Sequence, residues 1–157
     1  MEVKEMITNP FHNMDVTSCN STAFMIVQKL FPAGFKVEGF GTDQAIAGEN
    51  IQVTETRKGI DGKMSAGVIT QIIPVTITLE ANSPTLAYFK AIAEYQEASK
   101  KLCPVTLTVS TPSIGETTIF TNGVLQTAPS MANINRTLEA TQWVFHFESK
   151  AAIPLQM

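Results

Sequence analysis

The sequence predicts a mainly β protein with one long helix, an α+β chain built as an antiparallel β-sandwich or barrel with a flanking helix and a long protruding loop. Three observations predict it. From Val68 to Glu80 the apolar residues Ile69, Ile73, Val75, Ile77 and Leu79 alternate with the polar Thr70, Thr76, Thr78 and Glu80. A period of two buries one face of a strand and leaves the other to water or a partner. At Asn82-Ser83-Pro84 the period changes. Ser83 suits an N-cap and Pro84 the first helical position, and Leu86, Phe89, Ile92 and Ala93 then recur at three- and four-residue steps. Finally, Val105, Leu107 and Val109 alternate with Thr106, Thr108 and Ser110, a second half-buried strand.

The helix is expected over residues 84–101, with Lys100 and Lys101 at the end where cations favour the helix dipole and Cys103-Pro104 as the stop. Upstream, Ala23 to Leu30 reads as a buried strand. Phe31-Pro32-Ala33-Gly34 reads as a turn, and Phe35 to Phe40 as the returning strand of a hairpin. Gly39 and Gly41 then bend the chain away. Asn50 to Thr56 is a strand with Ile51 and Val53 inward. It leads into a Gly-rich insert of mixed charge, Arg57 to Gly67, where Asp61-Gly62 marks a hairpin tip. The insert should project beyond the core, as an extended element over residues 54–68. Carrying both signs of charge, it suits a protein contact better than a polyanion.

Beyond the central unit, Thr117 to Leu125 is a strand with a bulge or turn at Asn122-Gly123, and Ala128 to Asn135 is a loop. Leu138 to Glu148 is a last strand with apolar groups on both faces, Trp143, Phe145 and Phe147 against Leu138, Ala140 and Val144. Such a strand is central in its sheet or lies in an interface. The ends read as an irregular arm over 1–21 and a tail over 149–157. Several short strands and one helix, without repeats or low-complexity tracts, point to a single domain over residues 1–157.

Composition excludes several functions. The chain has 157 residues, 44% hydrophobic and 16% charged, with a formal net charge of −3. It therefore has apolar material for a core and no basic footprint for gripping nucleic acid. The two cysteines, Cys19 and Cys103, do not make a disulfide framework and read as reduced thiols. Met1 to Asn9 lack the apolar core of a secretory signal, and the longest apolar run, Ala23 to Val27, is far too short to span a membrane. A soluble protein without a membrane anchor, made in the cytoplasm, is expected. The two Asn-x-Thr/Ser-type sequons at Asn20 and Asn135 are then chance matches.

No reactive constellation emerges. His12 and His146 lie apart from the cysteines, with no close-spaced ligand pair, so neither metal nor cofactor is expected. His146 sits between Phe145 and Phe147 and reads as a packed or interface residue. Cys103 lies at a helix C-terminus, where the dipole raises a thiol pKa, which makes it a poor nucleophile for a pair with His146. Gly39-Phe40-Gly41 lacks the third glycine and the helix of a phosphate-binding turn, and the frame around Ser113 is not a nucleophile elbow. Glu94 and Glu97 read as a solvated helix face. The reading is therefore not an enzyme. A small β subunit with a projecting insert and a two-sided last strand is suited to cover its sheet edges with neighbours.

At this point the chain resembles the tail tube proteins of tailed bacteriophages and, more distantly, the tube protein of type VI secretion. The resemblance is carried by Gly48 to Glu55 before the loop, Gly59 to Gly67 within it, Val75 to Leu79 leading to Ser83-Pro84 and the helix, and Trp143 to Phe147 near the end, covering about residues 35–148. It implies hexameric rings stacked into a hollow tube in the virion tail, assembled in the host bacterial cytoplasm. It also implies tape measure, baseplate and sheath proteins as partners, and phage DNA passing through without specific binding. Carried onto this chain, the inter-ring contacts would be Glu55, Arg57, Lys58, Ile60, Asp61, Lys63 and Met64, and the core or inter-subunit strand would present Trp143, Phe145 and Phe147. Mild acidity in the lumen would repel phosphates and let the duplex slide. Two readings stand beside it: a baseplate or tail-completion ring or secretion-tube homologue with the same fold, and a β-sandwich carbohydrate- or ligand-binding module.

Overall fold

A computed structural model describes residues 21–40 and 45–154. The arm expected over 1–21 falls almost wholly outside them, with Cys19 and His12, as do the bend at Gly41 and the last three residues. The described residues form nine strands: β1 (Thr22–Val27), β2 (Phe31–Lys36), β3 (Ile46–Gly48), β4 (Thr54–Lys58), β5 (Met64–Val68), β6 (Ile73–Leu79), β7 (Val105–Thr111), β8 (Glu116–Thr127) and β9 (Thr141–Pro154). Helix α1 (Leu86–Ser99) lies between β6 and β7, and a short 3₁₀ turn, Pro112–Ile114, joins β7 to β8. Seven strands make one antiparallel sheet in the order β2-β1-β7-β8-β9-β6-β3, while β4 and β5 pair only with each other.

Alternation aligns one face of the large sheet across its strands. Met25 stands opposite both Phe35 and Leu107. Val75 stands opposite Phe145, and Ile77 opposite Trp143. These residues, with Ala23, Val27, Val105, Leu79 and Phe147, form a single buried cluster. Beyond β2, an edge strand, the chain runs to the end of β6, where Phe40 bridges Leu79 and the Glu80 N–H donates to the Gly39 carbonyl at 2.8 Å.

Helix α1 covers the buried face. Phe89 and Ile92 are fully buried. The Phe89 ring packs edge-on against Trp143 and Phe145, at centroid distances of 5.5 and 5.2 Å. Such aromatic pairs contribute about 0.5–1.5 kcal/mol beyond the area they bury. The helix starts two residues later than the proline predicts. Ser83 Oγ donates to the Glu38 carbonyl at 2.5 Å and accepts the Thr85 N–H at 3.2 Å, while Thr85 Oγ1 accepts the Glu38 N–H at 2.8 Å. Both hydroxyls thus tie the entry to the chain following β2, and Leu86 is the first helical residue. It ends earlier than expected because Lys100 takes the left-handed conformation, φ 58°. Lys100 and Lys101 therefore lie past the last turn.

Other boundaries differ for local reasons. The turn after β1 is Gln28–Leu30, and Phe31-Pro32-Ala33-Gly34 belongs to β2. An edge strand tolerates a proline, which has no N–H to donate, because a position facing away from the one neighbouring strand owes no ladder bond. The strand expected over Asn50–Thr56 begins only at Thr54, as β4, after an irregular approach, and the long strand from Val68 is divided: Val68 ends β5 and β6 begins at Ile73. In β8 the expected bulge occurs at Asn122, φ 57°. Against β7, three steps of β8 from Phe120 to Gly123 match two from Leu107 to Val105. The extra residue changes the parity, so Phe120 and Leu125 are both buried. Residues 149–154, expected as a tail, continue β9 and pair with β8, Ile153 opposite Thr117. The last strand is central, between β8 and β6.

Candidate assembly interface

Two unpartnered features stand out against this core, at opposite ends of the β6–β9 pair. The first is the β4–β5 hairpin. Its ladder runs from Thr54 opposite Val68 to Lys58 opposite Met64. The tip is closed by the Gly59 N–H donating to the Lys63 carbonyl at 2.9 Å and the Gly62 N–H to the Gly59 carbonyl at 3.0 Å. Asp61 Oδ1 accepts the Lys63 N–H at 3.1 Å. Gly62 has φ +80°, a conformation that favours glycine and explains the Asp-Gly signal. At the root the Ile69 N–H donates to the Val53 carbonyl at 3.0 Å, and the Gln52 N–H donates to Gln71 Oε1 at 3.2 Å.

Every residue of β4 and β5 is exposed. The register sorts them into two faces. Glu55 and Arg57 share one face with Ser65 and Gly67, and their charges stand 3.8 Å apart, an exposed pair of little energetic weight. Thr54, Thr56 and Lys58 share the other with Met64, Ala66 and Val68. On this second face Val68 is 81% and Met64 71% exposed, and Ile60 at the tip is fully so. An isolated two-stranded hairpin is marginal in water, and exposed apolar groups arranged on one face mark an interaction surface. All seven residues expected at the contact lie in this element, divided between its faces and its tip. The alternation Met64-Ala66-Val68, which makes the aliphatic face, was present in the sequence; the surrounding glycines masked it as loop.

The second feature is a recess of about 260 Å³ at the other end of the pair, where Leu86 of α1, Met131 and Leu138 of the β8–β9 connection, and Trp143 meet. Met131 is 62% and Leu138 53% exposed. Nothing in the local sequence marks this recess, because it is assembled from three separate segments. Trp143, Phe145 and Phe147 are core residues here, between 0 and 2% exposed, and the Trp143 indole N–H is satisfied by Thr141 Oγ1 at 3.0 Å. Beside these, the stretch of β9 from Glu148 to Pro154 pairs with β8 alone, since β6 begins opposite Phe147.

Reactive chemistry is sparse. Among the described residues no group of three or more His, Cys, Asp or Glu side chains could hold a metal ion. Burial pushes the Cys103 thiol above its ordinary range, only partly opposed by the Lys29 ammonium. Lys29 Nζ itself donates to the Leu102 carbonyl at 3.1 Å. Glu94 and Glu97 are exposed on α1. No helix among the described residues is long and apolar enough to cross a membrane.

A family model described as "Tail fiber protein gp32" matches residues 14–151. No curated protein matches the sequence. In fold, the chain is similar to one from the cryo-EM structure of an extracellular contractile injection system, the PVC sheath-tube complex in its extended state. The TM-score is 0.56, with 11% identity over 99% of both chains. It is also similar to a chain of the anti-feeding prophage cap, the AFP tube terminating cap, with TM-score 0.51 and 10% identity over 84% of this chain and 87% of that one. A chain of the six-fold symmetrised anti-feeding prophage baseplate gives 0.53, with 6% identity over 91% and 98%. These likenesses are of fold.

Proposed function

The chain belongs to the tail fiber protein gp32 family, and from that premise we propose that it is a tail tube subunit, forming hexameric rings that stack into a hollow conduit for phage DNA. The coarser role is that of a structural component of a tail-type assembly. One observation carries the finer reading: a fold shared end to end with a chain of a sheath-tube complex carries a wholly exposed hairpin with an aliphatic face. An exposed element with an apolar face suits a contact with a neighbouring subunit of a stacked assembly. The hairpin residues Glu55, Arg57, Lys58, Ile60, Asp61, Lys63 and Met64 are the inter-ring contacts in this reading. Rings would sit in the virion tail with other tail proteins as partners. Duplex DNA would pass without specific contact, in keeping with the net charge of −3.

The similarity of the same fold to a tube terminating cap and to a baseplate favours a second reading, a ring that ends or founds the tube. Negative-stain microscopy of the purified protein separates the two. The tube reading expects long stacked rings, the second expects isolated rings, and particles that stay monomeric at high concentration would contradict both.

A further inference from the structure

We propose that Asn122 and Glu148 form a latch that holds the outer part of the large sheet, where β7, β8 and β9 run on beyond β6, at one fixed angle to the body of the sheet. The pair lies away from the hairpin and needs no assembly to act.

Register defines the two parts. Up to Phe147, β9 lies between β8 and β6, and from Glu148 onward it pairs with β8 alone. The change falls at the bulge. From Phe120 to Gly123 β8 takes three steps, and β9 takes three from Lys150 to Phe147, while β7 takes two from Leu107 to Val105. The β8–β9 ladder therefore passes through in step, and its two strands turn together against β7. A bulge of this kind bends and twists the strands that carry it. Packing does not fix the angle of the turn. Ala151, Ala152 and Ile153 are exposed, and a gap of about 500 Å³ is lined by the chain from Gly48 to Ile51 and by Thr118, Phe120 and Lys150.

Side chains at the turn supply what packing does not. Asn122 and Glu148 face each other between the pairs Thr121–Ser149 and Gly123–Phe147. Asn122 takes φ 57°, in the left-handed region that asparagine tolerates better than most residues. Its Nδ2 donates to Glu148 Oε2, a charge-assisted bond. Beside it the Thr121 and Ser149 hydroxyls share a hydrogen bond of 2.5 Å. Rotation of the outer part about the bulge moves Asn122 relative to Glu148, so the bond resists it. The consequence is directional. Ile114 and Ile153, both about half exposed, stand at the far tip, where Glu116 pairs with Thr111 and Pro154. The latch sets where these apolar groups point.

Asn122→Asp tests the latch without disturbing the backbone, because aspartate shares asparagine's tolerance for the left-handed region. It sets one carboxylate against another and removes the donor. Hydrogen exchange read by mass spectrometry, on dilute unassembled protein, should show the amides of β8 before Asn122 and of β9 after Glu148 exchanging about tenfold faster, with those of β6 unchanged. Glu148→Gln keeps a carbonyl acceptor for Asn122 and should exchange like the unmodified protein. Combining Asn122→Asp with Glu148→Gln reverses the bond, the glutamine amide donating to the aspartate, and should restore slow exchange. Unchanged exchange in Asn122→Asp would overturn the latch. So would acceleration that includes β6, or a loss that the double variant does not repair.

Discussion

The large sheet and the β4–β5 hairpin use the same strand alternation and spend it differently. In β6, Val75, Ile77 and Leu79 are completely buried beneath α1 and the facing strands. In β5, Met64, Ala66 and Val68 follow the same period, yet all are exposed. Alternation decides which residues share a face; it does not decide whether the same chain covers that face. A covered face stabilises the subunit, and an uncovered one is available to another molecule.

If that contrast is right, damage to the two regions should register in different measurements. The largest loss of stability is expected from Phe89→Ala. This fully buried ring joins α1 to Trp143, Phe145 and Phe35. Removing it should lower the unfolding free energy by about 3–5 kcal/mol in denaturant titration. Gly123→Ala comes next. A Cβ at this position would run into the Phe147 ring. Either the ring or the bulged strand must shift, for a loss of about 1–3 kcal/mol. By contrast, Val68→Thr on the open face of the hairpin should change stability by no more than about 0.5 kcal/mol, as for surface positions generally. Its effect should appear instead as weaker self-association by sedimentation velocity.

The smallest effect is a dependence on pH. Burial raises the folded Cys103 thiol above its unfolded value, so the neutral thiol favours the folded state below the ordinary thiol range. That contribution is lost as the pH rises through the raised folded value, because only the unfolded chain ionises freely. Denaturant midpoints compared between neutral and alkaline pH should fall further for the unmodified protein than for Cys103→Ala.

What was legible in the sequence follows the same division. Burial-driven patterns were readable: the alternation from Ile73 to Leu79, the helical stripe through Phe89 and Ile92, and the aromatic strand from Trp143. The bulge at Asn122-Gly123 was marked by residues that tolerate its backbone. Elements held mainly by ladder hydrogen bonds were not readable. Residues 149–154 have no apolar period, and only pairing with β8 makes them strand. β2 contains Pro32 and Gly34, whose local chemistry signals a turn, and only its edge position accommodates them. The projecting hairpin that holds the seven residues expected at a contact was legible through its Asp-Gly tip and mixed charge. The recess was not, because its walls become neighbours only when β8, β9 and α1 converge.

The most direct test of this account is negative-stain microscopy of protein lacking Lys58 to Lys63, beside the unmodified protein. Separation of a self-sufficient core from a hairpin reserved for other copies predicts folded subunits or rings without tubes. Tubes of normal length and diameter from the shortened protein would contradict it.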